Sequence, residues 1–157
     1  MSLVALKIDV ASRAGLHVGV PRLLALLAQW GARASFFLAF GPEDPWRTGW
    51  CSQLAGALRP RRRIVSGHAD LVRRIAGEGH EVGVHGWDHR LWRTRVQELD
   101  EHAIREQLEL AFEAYERVLG VPPRAVAAPA WRATSASLRD ASRRSSICLP
   151  THRTNAV

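Results

Sequence analysis

EVGVHGWDHRLW, residues 81–92, is a short apolar run that stops abruptly in two histidines four positions apart, His85 and His89. Val82 and Val84 give it the character of a buried strand, and the Gly-Trp-Asp that follows reads as a loop. Two neutral imidazoles at this spacing are common ligands of zinc and other divalent ions. The pair alone is a weak signal, because a soluble chain with seven histidines shows such a spacing fairly often.

Working outward, the same kind of apolar run recurs. LVALKIDV (Leu3 to Val10) suits a buried strand interrupted by Lys7 and Asp9, and ASFFLAF (Ala34 to Phe40) a second. RAVAAPAW (Arg124 to Trp131) is a fourth, after the run that ends at His85. Helical patterns separate them. GVPRLLALLAQWG carries Pro21 at a first helical position and Gly31 at the stop. HADLVRRIAGEG follows, and then DEHAIREQLELAFEAYERVLG, whose apolar residues fall three and four apart before Gly120 closes it. Residues 41–67, rich in Pro, Gly, Trp and Arg, read as an excursion over the surface. Strand and helix in alternation predict an α/β fold with a parallel sheet, whose chemistry gathers at the carboxyl ends of the strands. Asp9, His85 and the Trp131-Arg132 pair all fall there.

At 157 residues the chain fits one domain with a real core. No apolar run approaches the length of a bilayer span, and the start lacks a secretory signal pattern, so a cytoplasmic protein is expected. Cys51 and Cys148 lie far apart, without the spacing of a disulfide framework or a cysteine-rich zinc site. The net charge of +7 is almost entirely arginine, with Lys7 the only lysine, a skew that fits coding bias. In RPRRR, Arg59 to Arg63, a solvated loop competes with a phosphate or anionic-lipid contact. No aromatic residue interrupts that run to stack on bases, so nucleic acid is not expected as a partner.

Three motifs taken together, KIDVAS, GHEVGVHGWDH and APAWRA, resemble the polysaccharide deacetylase (NodB-homology) family. With GVPRLL, ASFF and GHAD in the same order, the chain looks most like the branch of deformylases acting on formamido-arabinose linked to phospho-undecaprenol. The resemblance covers roughly residues 3–138. It implies a NodB-type distorted (β/α) barrel, apparently truncated after about four strand–helix units. Residues 1–138 would form the domain, without its C-terminal part, and 139–157 an irregular tail. It implies a metal-dependent hydrolase removing an N-formyl or N-acetyl group from an amino sugar. His85 and His89 would hold a divalent metal ion, zinc or similar, and Asp9 would be the general base. Arg132 would orient Asp9 and keep it ionised. Trp87 and Trp131 either wall a sugar pocket or are ordinary core aromatics. Asp88 could orient a histidine or simply be solvated, and His68 could cap the helix after it. The sugar could be linked to a lipid phosphate, with peripheral contact to an anionic membrane at the inner face of the bacterial inner membrane.

Two departures bear on activity. The family motif usually has a second acidic residue two positions after the base, completing the metal site. Here that position is Ala11, whose methyl group cannot coordinate, so metal binding is expected to be weak. The family's late histidine, a general acid, has no counterpart, since nothing around His152 resembles its motif. A truncated, inactive member is therefore an alternative, and a non-enzymatic anion- or membrane-binding module a more distant one.

Overall fold

Five strands lie side by side in the order in which the chain makes them. In the computed structural model, which describes residues 4–43, 62–144 and 147–149, these are β1 (Lys7–Val10), β2 (Ser35–Leu38), β3 (Glu81–Val84), β4 (Ala125–Ala127) and β5 (Ile147–Leu149). Every neighbouring pair is parallel. Parallel neighbours in unbroken sequence order require each crossover to have the same sense. Right-handed crossovers then put the connecting helices on one face of the sheet. The α/β class and the barrel-type winding expected from the sequence are both present. The strands form an arc of five.

Register decides which side chains see the helices. Ile8 pairs with Phe36, Phe36 with Val82, and Val84 with Val126, so these residues share a face with Val10 and Leu38. That face packs into the main core against α1 (Val20–Gln29), α2 (Ala69–Gly77) and α4 (Glu101–Leu119). The opposite face carries Lys7, Asp9, Phe37, Gly83, Ala125 and Ala127 by the same alternation. Gly83 is needed there, because a Cβ would stand 2.5 Å from the Phe37 ring and 2.9 Å from the Ala125 carbonyl oxygen.

Helix α4 forms where the apolar spacing indicates. Ile104, Leu108, Phe112 and Tyr115 are buried along one side; Asp100 caps the start by accepting from the Ala103 N–H at 2.7 Å, and Gly120, at φ 74°, ends it. The Tyr115 hydroxyl reaches across to donate to the Val82 carbonyl at 3.0 Å, tying α4 to the middle strand. α1 buries Val20, Leu24 and Leu27, and Pro21 occupies its first turn as expected. A further helix, α3 (His89–Arg95), follows the histidine loop directly.

The irregular tail expected over 139–157 is corrected in its first part. Residues Ser135–Arg144 form α5 and Ile147–Leu149 form β5; residues beyond lie outside the described ones. α5 has Leu138 as its one large apolar residue and is specified locally. The Thr134 hydroxyl accepts from the Ser137 N–H at 3.1 Å, and the Ser137 hydroxyl accepts from the Thr134 N–H at 2.9 Å, a reciprocal cap. Ala141 is buried, and ion pairs of Arg139 with Glu101 and Arg105 with Asp140 run across to α4. Most of the 41–67 excursion, including Arg59–Arg61 and Cys51, also lies outside the described residues. Other arginines sit on helix surfaces beside carboxylates three or four positions away, such as Arg73 with Asp70 and Arg74 with Glu78.

Gly83→Ala should therefore destabilise the fold by about 1–3 kcal/mol, the range for overpacking a filled site. Urea denaturation would measure this, and an unchanged midpoint would mean that Phe37 can move aside at no cost.

Candidate functional site

At the carboxyl ends of β1 and β3 a cleft of about 650 Å³ opens, lined among others by Asp9, Ala11, Glu43, His85, His89 and Trp131. The sequence motifs around Asp9, the two histidines and Trp131 thus converge on one place. Arg132 and Trp87 are not among the lining residues.

His85 is the first residue past β3, and its backbone N–H continues the ladder by donating to the Leu38 carbonyl at 2.8 Å. Its ring is only 3% exposed. Nδ1 lies 3.0 Å from the Ala127 carbonyl oxygen; a carbonyl only accepts, so Nδ1 carries the proton and Nε2 keeps its lone pair. Burial lowers the pKa to about 4. Nearby Asp9 opposes that shift, and His89 adds to it. At neutral pH His85 is therefore a neutral imidazole with its tautomer fixed, the state a metal ligand or a hydrogen-bond acceptor needs.

Gly86, at φ 72°, lets the chain turn sharply away from the strand. The chain then enters α3, whose cap is Asp88: its carboxylate accepts from the N–H groups of Arg90 and Leu91 at 3.0 and 3.1 Å. Asp88 thus spends one oxygen on the helix start. His89 is the first residue of that helix, and its ring centroid lies 5.3 Å from that of His85, at 41° between planes.

Asp9 has an unforeseen partner. The strand pleat puts Lys7 on its side of the sheet, and the Lys7 ammonium is ion-paired to both carboxylate oxygens, the longer contact being 2.6 Å. The ammonium also lies over two rings, 4.5 Å from the Trp131 centroid and 5.2 Å from that of Phe37. The place beside Asp9 expected for Arg132 is taken by Lys7, and Arg132 is exposed. The cause lies just before it: Ala130 and Trp131 are both in the left-handed region, at φ 52° and 58°. Each costs an L-residue on the order of 1 kcal/mol. That turn presents Trp131, 54% exposed, to the cleft.

Trp87 is half-buried, packs against the main core, and has the Arg63 guanidinium 5.0 Å from its ring centroid, which fits the core-aromatic alternative. His68 holds the N-cap position of α2 without a side-chain capping bond; its Nδ1 is 2.9 Å from the Ser66 carbonyl. Sequence reasoning missed Glu43, which faces the cleft and accepts from the Arg13 N–H at 2.9 Å.

These donors can be tested against a metal ion. A protein-held catalytic zinc takes three side-chain ligands. Ala11 lines the cleft where a carboxylate would serve, Asp9 is engaged by Lys7, and among the described residues no group of three or more His, Cys, Asp or Glu side chains could hold a metal ion. The described donor set falls one short, leaving two imidazoles.

The buried histidine sets a pH dependence. Its folded pKa, about 4, lies below its ordinary value of 6.5, so as pH falls the unfolded chain takes up the proton first. The stabilisation is complete above pH 6.5 and is lost as pH falls toward 4, by up to about 3 kcal/mol. Chelator-treated protein should lose more stability between pH 7.5 and 4.5 than a His85→Gln variant does, by urea denaturation. Parallel pH profiles would contradict this.

Known proteins give the site a lineage. Residues 2–145 match the model of the polysaccharide deacetylase family. Two curated relatives are 4-deoxy-4-formamido-L-arabinose-phosphoundecaprenol deformylases. That of Shewanella sediminis is 27% identical over 162 residues, covering 89% of this chain and 53% of its own. That of Wigglesworthia glossinidia brevipalpis is 27% identical over 146 residues, covering 80% and 51%. The chain therefore spans about half the length of these relatives. Among solved structures, a CE4-family pseudoenzyme of Bacillus anthracis matches with a TM-score of 0.66 at 22% identity, over 94% of this chain and 42% of that one. A mutant of it described as having restored enzymatic activity matches equally well, at 0.66 and 21%, over 94% and 44%. At those identities the structures speak for the fold alone, but the family match spans nearly the whole chain: it belongs to the polysaccharide deacetylase family.

Proposed function

We propose that the cleft holds an amino sugar, as the family's chemistry requires, and that this chain does not hydrolyse the sugar's amide. One observation carries the second half: Ala11 stands in the cleft where the motif has a carboxylate, beside an Asp9 already held by Lys7. Both oxygens of that carboxylate are engaged by the Lys7 ammonium, a contact that competes with its work as a base. Two imidazoles without a third side-chain ligand hold a divalent ion weakly. Bacillus anthracis has a protein of this fold described as a pseudoenzyme, and a mutant of it is described as having regained activity. A protein of this fold that is silent as it stands and active once altered is thus a known kind of molecule.

One observation favours the alternative, a working deformylase or deacetylase with a loosely held metal. His85 is neutral, with its tautomer fixed by the Ala127 carbonyl, and it lines the cleft. Such preparation is what a ligand histidine needs. We weigh it second because it concerns the ligand that is present, whereas hydrolysis depends on the one replaced.

Similarity to deformylases of a phosphoundecaprenol-linked sugar supports a lipid-linked amino sugar as the ligand class. Such a ligand would bring the chain to the cytoplasmic side of a membrane. α1 and the turn before it offer a surface for that: Val18, Leu26 and Trp30 are exposed at intervals that align along the helix, with Arg22 among them. No helix among the described residues is long and apolar enough to cross the membrane.

The test is to incubate wild type and Ala11→Asp with zinc and with N-acetyl and N-formyl amino sugars. Wild type should release no acetate or formate above the protein-free rate, and Ala11→Asp should bind zinc at least about tenfold more tightly. Chelator-sensitive release by wild type would overturn the proposal. An unchanged zinc affinity in Ala11→Asp would mean that position 11 and the histidines do not converge.

A further inference from the structure

The chain carries a net charge of +7, yet among the described residues no arginine or lysine lines its cleft. The charged side chains that do are Asp9 and Glu43, and they differ. Asp9 is neutralised by Lys7. Glu43 forms no ion pair among the described residues. Its Oε1 accepts a backbone N–H, that of Arg13, at 2.9 Å. An amide N–H orients a carboxylate without cancelling its charge.

Two arginines close to Glu43 among the described residues are engaged elsewhere. The Arg13 guanidinium donates to the carbonyls of Arg63 and Ser66, at 3.1 and 3.0 Å, and Arg63 lies over the Trp87 ring. Glu43 is also pinned by its backbone. Its N–H donates to the Arg62 carbonyl at 3.1 Å, and the adjoining Pro42 bridges Arg63. A half-buried carboxylate so anchored does not need to be ordered when a ligand arrives. The deeper wall adds His85, 97% out of solvent, whose Nδ1–H is given to the Ala127 carbonyl, leaving Nε2 as an acceptor. An ordered anion and a buried acceptor nitrogen favour a ligand rich in donors, and above all a cationic one.

Building on the amino-sugar reading of the cleft, we infer that it prefers the de-N-acylated, ammonium form of the sugar to the amide, with Glu43 as the ammonium's partner. An N-acyl group offers one N–H and a carbonyl oxygen, and the carbonyl gains nothing beside a carboxylate. The free ammonium offers three donors and a charge. A chain with these groups is suited to retaining the product of a deacylation carried out elsewhere, by an enzyme that hydrolyses the amide.

Calorimetric titration of the full chain with glucosamine and with N-acetylglucosamine, at about pH 6.5 where an aliphatic amine is protonated, tests this. Glucosamine should bind about tenfold more tightly, the size of one charge-assisted hydrogen bond. Glu43→Gln keeps an oxygen for the Arg13 N–H and should erase that preference, bringing glucosamine down to the affinity of N-acetylglucosamine. N-acetylglucosamine binding as well as or better than glucosamine would overturn this inference while leaving the amino-sugar cleft standing. A preference that survives in Glu43→Gln would also overturn it. Failure of both sugars to bind wild type would overturn the cleft's assignment as well. The wild-type comparison decides even if the variant folds poorly.

Discussion

The cleft hangs from the central strand β3, whose carboxyl end buries an imidazole that must hydrogen-bond to stay there. The ladder continues one residue past the strand to seat the backbone of His85. The Ala127 carbonyl then accepts a hydrogen bond from Nδ1–H, joining the ends of β3 and β4 through a side chain. A buried ring without that acceptor would strand a polar group out of water. With it, the ring is neutral, oriented and adjacent to His89. Gly83, two residues earlier, is part of the same constraint, since Phe37 fills the space where its side chain would be.

Around this fixed point the chain has kept a family's scaffold and altered its charges. The pleat of β1 sets Lys7 and Asp9 side by side, and the ammonium between Asp9 and two aromatic rings has good reason to remain there. Asp9, the base on the proposed reading, is thereby occupied, and Ala11 offers no side chain to complete a metal site. What remains is a cleft with two imidazoles, one of them buried and neutral, one paired carboxylate, one anchored carboxylate and an exposed tryptophan. That inventory suits recognition better than bond cleavage.

Much of this was legible in the sequence, for physical reasons that differ by element. α4 was plain because its apolar spacing, its Asp100 cap and its Gly120 stop agree. Strand order followed from alternation with helices, and with it the meeting of Asp9, His85 and His89. α5 was hidden because Leu138 is its one large apolar residue, and a serine cap, a buried alanine and ion pairs to α4 supply the rest. The Lys7–Asp9 pair was within reach, since residues two apart on a strand share a face; resemblance drew attention to Arg132 instead. What displaced Arg132 is a left-handed pair, Ala130 and Trp131, in residues whose identity gives no hint of it. Glu43 was out of reach, because its orientation depends on a backbone group 30 residues away.

A zinc titration of the purified chain, wild type against a His85→Ala, His89→Ala double variant, tests the central claim most directly. The account gives wild type a dissociation constant weaker than about 1 μM, short of what fully liganded protein sites reach, and no binding in the double variant. Binding tighter than that, lost in the double variant, would mean that a third ligand completes the site, and the picture of a cleft kept for recognition would fall.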